Sequence, residues 1–401
     1  MKGSLRLGRI AGIEIGIHYT WLLAFALIAW SLAMGFFRQT SPGYSLGTYW
    51  IAGIVAALLL FFSVLLHELA HSLVAQARGI PVRSITLFIF GGVSNLEEEA
   101  ERPAAEFAMA IVGPVTSLVL ALIFWVMFQA MQPDVSVASF FRFGGWLPQE
   151  NIVAASLFYL ALINALLAAF NILPGFPLDG GRVLRSILWG ATGDLLRATN
   201  IAALVGRLFG WAFIAYGVFE ILAALTTGRG DIIGGLWIAF IGWFLSNAAD
   251  ASRREITLRE HLTGARVKDV MYVGQESISP KTTVADVVHG IFQQRFRRAV
   301  PVCQDNQPVG IVTITDVKGL PQEKWAETPV EQIMTRPPLY SVTPEDDLNT
   351  AMKLIAQHDL NQVLVLSQGQ CAGLLSRADV IRYLQLSQEL RIKSGGRPKQ
   401  S

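Results

Sequence analysis

Along the first 250 residues the chain alternates long apolar blocks with short polar interruptions. Six blocks stand out, near 17–37, 49–77, 105–130, 151–173, 201–225 and 232–248. Lipid offers no partner to backbone polar groups, so a run of about 20 apolar residues predicts a helix that spans the bilayer. The first block is read as a span and not a leader: it is long, is flanked by Trp21 and Trp30, and has no small-x-small cleavage site ahead of a soluble domain. Between two spans, residues 80–96 (IPVRSITLFIFGGVSNL) are too apolar for a plain loop. Their β-branched and aromatic residues, broken by Gly91 and Gly92, predict one or two short strands at the membrane boundary. Two readings stand there: a structural hairpin, or an edge strand that pairs with an extended peptide.

Beyond residue 250 the pattern changes. Residues 249–262, ADASRREITLREHL, predict a polar helical link. A self-similarity with a period of 63 follows: VKDVM at 267–271 aligns with VEQIM at 330–334, and GIVTITDV at 310–317 with GLLSRADV at 373–380. Each copy also holds an amphipathic helical stretch and a strand pair, ADVVHGIFQQ then AVPVCQ in the first, LNTAMKLIAQ then QVLVLS in the second. A β-α-β-β-α unit that exposes one apolar face needs its twin to bury it.

Charge fits two solvents. Only 15% of residues are charged, against about 25% in soluble domains, which excludes an ordinary soluble enzyme and a disordered chain. The first 250 residues carry 13 Lys/Arg and 14 Asp/Glu, the last 151 carry 19 and 16. A net charge of +2 makes no case for nucleic acid. Two cysteines, Cys303 and Cys371, are too few for a disulfide framework and fit a reducing compartment. With the N-terminus inside, inner segments carry twelve Lys/Arg, including Lys2, Arg6, Arg9, Arg78, Arg83 and Arg102, against Arg38, Arg142 and Arg229 outside. The prediction is a multi-pass protein of the cell membrane with both termini cytoplasmic.

The second span carries His67-Glu68-Leu69-Ala70-His71. Ionisable groups inside a span are costly and point to function. Residues i and i+4 share a helix face, so both imidazoles can grip one ion, and Glu68 is placed to take a proton from water there. Zinc needs a third protein ligand and an open position. His18, at the entrance of the first span, is a gate residue, a substrate contact or an interfacial residue, the last being favoured. Asp179 is better placed, in Asn171-Ile172-Leu173-Pro174-Gly175-Phe176-Pro177-Leu178-Asp179-Gly180, where the prolines break the fourth span at the inner face. His67 and His71 lie roughly 9–15 Å from the inner end of their span, a compatible depth.

H-E-x-x-H on one span and N-x-x-P-x-x-x-x-D-G on a later one resemble the paired signatures of the site-2 protease family of intramembrane zinc metalloproteases. Gly91–Gly92 and Gly113-Pro114 are similar to that family as well. The resemblance implies that His67, His71 and Asp179 bind one catalytic Zn2+ and that Glu68 is the general base. It also implies that Asn171 holds the reacting carbonyl or its oxyanion, beside the readings of a helix-end cap and an interhelical contact. Substrates would be membrane-spanning proteins, unwound locally because a helical peptide bond is shielded. The 85–96 strand would pair with them, and the first and last two spans would form a lateral gate, with no hinge beyond scattered glycines such as Gly210, Gly217, Gly234 and Gly235. No PDZ-like insertion is visible.

Residues 263–386 resemble a tandem pair of CBS domains. That family's G-h-h-[ST]-x-x-D element is matched by Thr313 and Asp316 in the first copy and Ser376 and Asp379 in the second. The resemblance implies an adenine nucleotide, ATP or a relative, with the carboxylate accepting from the ribose hydroxyls; the other reading is a cap on the following helix. Arg295, Arg297 and Arg298 would meet phosphates, headgroups or solvent. Both cysteines are expected in the core.

The expected fold is a membrane all-α core of about six spanning helices with a small inner-face β-hairpin, followed by an α/β CBS tandem. Its parts are a metalloprotease domain at 1–250, a linker at 251–262, CBS copies at 263–322 and 328–386, and a disordered tail at 387–401. The leading function is regulated intramembrane proteolysis tuned by nucleotide, with a homodimer through the CBS pair. The rivals are a CBS-regulated transporter or channel and an inactive metal-stabilised scaffold.

Overall fold

The computed structural model of the chain describes residues 4–89, 91–96, 100–135, 151–228, 230–262, 264–273, 277–294, 297–305 and 307–389. Arg142, Arg229, Arg295 and the tail beyond residue 389 lie outside them. The chain divides into two compact units, residues 1–254 and 255–401.

The first unit opens with strands β1 (Ser4–Ile10) and β2 (Ile13–His18). Helix α1 (Tyr19–Ser31) continues through a π turn at Leu32–Phe36 and a last turn at Phe37–Thr40. Helix α2 (Leu46–Ala77), strands β3 (Val82–Phe88) and β4 (Gly91–Leu96), and helices α3 (Pro103–Met131) and α4 (Ile152–Asn171) follow. Helix α5 (Asp179–Thr192) links α4 to α6 (Leu195–Thr227), and α7 runs Ile232–Leu262. Among the described residues, six helices are long and apolar enough to cross a membrane.

Their burial is inverted relative to a water-soluble fold. On α2, Leu58, Leu59 and Phe62 are exposed, while Ala56, Ala57, Ser63 and His67 are buried. Lipid gives no hydrophobic drive between helices, so small and polar residues take the packed faces and large apolar ones face outward. Where α3 meets α4, Phe128 packs with Ala154, Leu157 and Phe158. Gly210 and Gly217 on α6 face the backbone of Gly242 and Gly235 on α7, so these glycines let the two helices pack closely.

The β element is larger than the expected hairpin. Four strands run in the order β1-β2-β3-β4. The outer pairs are antiparallel, and β2 pairs β3 in parallel, Ile15 opposite Ile85. Residues 17 and 18, read as the start of the first span, belong to β2. The inner face of the sheet (Ile13, Ile15, Val82, Ile85) packs on Ala75 and Met109. Strand β4 lies at the sheet edge.

The second unit keeps the period of 63. Short helices α8 (Val267–Val270), α9 (Val284–Val287) and α10 (Ile314–Lys318) precede α11 (Leu348–Gln357) and α12 (Arg377–Glu389). Residues 387–389, expected in the disordered tail, are thus helical. The strands are β5 (Tyr272–Val273), β6 (Ala299–Gln304), β7 (Gln307–Thr313), β8 (Ser341–Val342), β9 (Gln362–Ser367) and β10 (Gln370–Ser376). Pro301 opposes Ile311 and, one period on, Leu364 opposes Leu374. The leading segments are exchanged. Leu262, Ala265 and Val267 complete the second copy's core beside Leu348 and Ile355, while Val330 completes the first copy's core beside Val284 and Val300.

Candidate active site

Three helices meet at His67, His71 and Asp179. The two histidines lie one turn apart on α2, whose N-terminus is capped by Ser45. Asp179 is the first residue of α5, set there after Pro174 and Pro177 end the fourth span. His67 Nε2 and His71 Nε2 each lie 3.1 Å from Asp179 Oδ2 and 3.2 Å from each other.

The other ring nitrogens are engaged. His71 Nδ1 donates to the Met109 carbonyl at 2.5 Å, and His67 Nδ1 pairs with Ser117 Oγ at 2.9 Å. A carbonyl only accepts, so His71 carries its proton on Nδ1 and turns the Nε2 lone pair toward the Asp179 carboxylate. Electron-rich atoms so close need a cation among them. A tetrahedral zinc with bonds of about 2.0–2.1 Å keeps its ligands roughly 3.3 Å apart, so this triangle fits one. Space for it is set by Gly113, where a Cβ would lie 2.1 Å from His71 Nε2 and 2.7 Å from His67 Nε2.

Glu68 is held separately. The Ser94 hydroxyl, on β4, donates to Glu68 Oε2 at 2.8 Å, and Ser72 donates to Ser94 at 3.2 Å. Gly92, also on β4, lies so close that a Cβ there would be 2.3 Å from Glu68 Cγ. The sheet edge and the acid–base candidate are therefore side by side.

A family model described as Peptidase family M50 matches residues 55–213, and CBS domain models match 267–322 and 330–386. A Synechocystis protein, sll0528, provisionally named a zinc metalloprotease, is 36% identical over 96% of this chain and 97% of its own length. The chain belongs to peptidase family M50. Rip3 of Mycobacterium tuberculosis, named in the same provisional way, is 33% identical over 96% of this chain and 94% of its own. The solved Site-2 Protease from Methanocaldococcus jannaschii is 28% identical, with a TM-score of 0.39, over 62% of this chain and 95% of that one. With its six apolar helices, this M50 peptidase is a multi-pass membrane protein that carries tandem CBS domains.

Not every expected residue joins the triangle. Asn171 donates its amide to Leu167 O of its own helix at 3.0 Å. His18 caps α1, pairing with Thr20 Oγ1 at 2.9 Å. In the CBS unit, Thr313, Ser376 and Asp379 line a cleft of about 460 Å³ together with Arg297, Arg298, Arg377 and Arg382. Asp316 is not among the lining residues. Both carboxylates act as caps: Asp316 Oδ2 accepts from Thr313 Oγ1 at 2.7 Å, and Asp379 Oδ2 from Ser376 Oγ at 2.5 Å. Ser94, Ser117 and the Met109 carbonyl carry no signal in the sequence. A lone serine or a backbone oxygen carries no motif, so only the contacts reveal them.

Proposed function

We propose that this M50 peptidase is a zinc-dependent intramembrane endopeptidase that cuts membrane-spanning proteins, with His67, His71 and Asp179 as the metal ligands. The observation that carries the reading is the convergence of two imidazole Nε2 atoms and one carboxylate oxygen at 3.1–3.2 Å, with Glu68 beside them. Zinc, when bound, supplies Lewis acidity that brings the pKa of water toward about 7 and polarises a peptide carbonyl. Glu68 takes the proton of the attacking water and delivers it to the leaving amine. Ser94 holds one Glu68 oxygen, which leaves the other for that transfer. Met109 and Ser117 hold the two imidazole planes, and the Met109 carbonyl fixes the His71 tautomer. The edge of β4, unpaired among the described residues, offers backbone donors and acceptors to an extended substrate. Asn171 gives one amide N–H to Leu167 O of its own helix, and the second N–H is the one that would hold the reacting carbonyl or its oxyanion.

Glu68→Gln should keep zinc and lose at least about 100-fold in cleavage of a single-span substrate co-expressed in membranes. Wild-type cleavage in that variant defeats the reading. A transporter leaves both the triangle and the Ser94–Glu68 hydrogen bond without work.

The finer regulatory reading is that the CBS cleft takes an adenine nucleotide, its four arginines meeting phosphates and Asp379 the ribose. The N- and C-termini face the cytoplasm by the Lys/Arg bias, which puts this cleft where nucleotide is available, and the CBS pair is the expected site of homodimerisation. Nucleotide alters cleavage only if it binds two arrangements of the protein unequally. Equal cleavage rates at saturating ATP and without it would remove that coupling.

A further inference from the structure

A second group of buried charges lies outside the metal triangle. Glu106, on the first turn of α3, is 1% exposed, and Arg185, on α5, is 4% exposed. Arg185 Nε donates to Glu106 Oε1 at 2.6 Å, and a second nitrogen of the same guanidinium also meets that oxygen. The guanidinium also lies over the Phe176 ring, 5.2 Å from its centroid. Phe176 itself is buried. Buried ion pairs add little net stability, and their best-attested use is to fix register.

The register fixed here is that of α5 against α3. Along one face of α3, Glu106, Met109, Gly113 and Ser117 follow at helical spacing. The Met109 carbonyl holds His71, Gly113 makes room for both imidazoles, and Ser117 holds His67. Glu106 is the fourth contact on that face, and it reaches the helix that brings Asp179. Arg185 grips both sides of Asp179: the helix six residues after it and, through Phe176, the loop three residues before it. One face of α3 therefore aligns the histidine pair and the carboxylate with each other.

We infer that Glu106 and Arg185 are positioning residues, which hold Asp179 in register with His67 and His71 and so set the metal affinity. This inference rests on the zinc reading of the triangle. The test uses the full chain purified in detergent, with zinc affinity measured by competition against a chelator. Arg185→Met should weaken zinc about 10–100-fold, the usual effect of losing a group that orients a ligand. In an Asp179→Ala background, the same Arg185→Met change should weaken zinc no further, because the ligand that it positions is gone. A residue that only supports the fold would add its loss in both backgrounds.

Wild-type affinity in Arg185→Met, or a full additive loss in the double variant, would overturn the inference. If Arg185→Met does not accumulate in membranes, Arg185→Lys replaces it. Lysine keeps the charge but lacks Nε and the flat face over Phe176, so a loss of zinc affinity is still expected. Unchanged affinity there would overturn the inference equally. A wild-type chain that binds no zinc would fail the zinc reading itself and this inference with it, whereas normal wild-type zinc with an unaffected Arg185→Met fails only the inference.

Discussion

Gly113 and Gly92 each stand where one methyl group would meet a functional side chain, and they separate two parts of the site. A Cβ at Gly113 would enter the space between the imidazoles, 2.1 Å from His71 Nε2. Gly113→Ala should therefore lose bound zinc, read by metal analysis of the purified chain, and lose cleavage with it. A Cβ at Gly92 would lie 2.3 Å from Glu68 Cγ and touches no metal ligand among its nearest atoms. Gly92→Ala should keep zinc near one per chain while cleavage falls at least about 100-fold, since only the proton transfer is disturbed. Loss of zinc in Gly92→Ala would show that Glu68 and the triangle are not separable. In the CBS unit, burial, with the neighbouring Cys303 as a second cause, pushes the Cys371 thiol up to about 12 from 9.0. The folded thiol keeps its proton through pH 9–12 where the unfolded one loses it, so this group's stabilisation is complete below about pH 9 and is lost as pH rises toward 12. At pH 8, iodoacetamide should label Cys371 in the folded chain far more slowly than in urea, as mass spectrometry of the labelled peptide would show. Labelling at the same rate in both would contradict the shift.

At the scale of elements, legibility followed period and contiguity. H-E-x-x-H is legible because both imidazoles and the carboxylate sit within five residues of one apolar helix, and Asp179 because prolines break the fourth span. The first hairpin was not legible: Ile13–His18 runs straight into α1, and a hydropathy window merges the two. The parallel pairing of β2 with β3 joins residues some 70 positions apart, with α2 between them, and nothing local announces it. Helix α5 escaped because it is amphipathic and not a span. The sequence leaves β4 open between a structural hairpin and a pairing edge, and the structure adds its place beside Glu68. Ser94 and Gly92 on this strand both touch Glu68, and Val93 between them is 44% exposed. A substrate that adds to this edge passes beside the acid–base group. Val93→Cys combined with Glu68→Gln should form a disulfide crosslink to a substrate bearing one cysteine near its cleavage site. The same cysteine at Leu58, on the lipid-facing side of α2, should not. Equal crosslinking at both positions would argue against strand addition.

The whole molecule joins two units with different rules of stability. In the first, helices are held by small-residue packing and polar contacts, because lipid removes the hydrophobic drive. In the second, water restores it, and the cores are built from Val, Leu and Ile. The repeat of 63 was plain in the sequence, yet repeat boundaries are not core boundaries. Val267, at the head of the first copy, is 0% exposed inside the second copy's core, and Val330, at the head of the second, is 0% exposed inside the first's. The strand pairing agrees: Tyr272 and Val273 pair with Leu374 and Gly373 of the other copy. Self-similarity cannot report such an exchange, since each segment matches its twin wherever it packs. The exchange has a consequence for truncation. A fragment of residues 255–389 contains every exchanged segment and should unfold in one cooperative transition in urea. A fragment cut at the repeat, 263–322, lacks Val330 and its neighbours and leaves Val267 without its core, so it should show no such transition. Leu348→Ala in the longer fragment should cost about 2–5 kcal/mol, the range for truncating a fully buried leucine. Cooperative unfolding of 263–322 alone would mean that each copy closes its own core, and the exchange would carry no weight in stability.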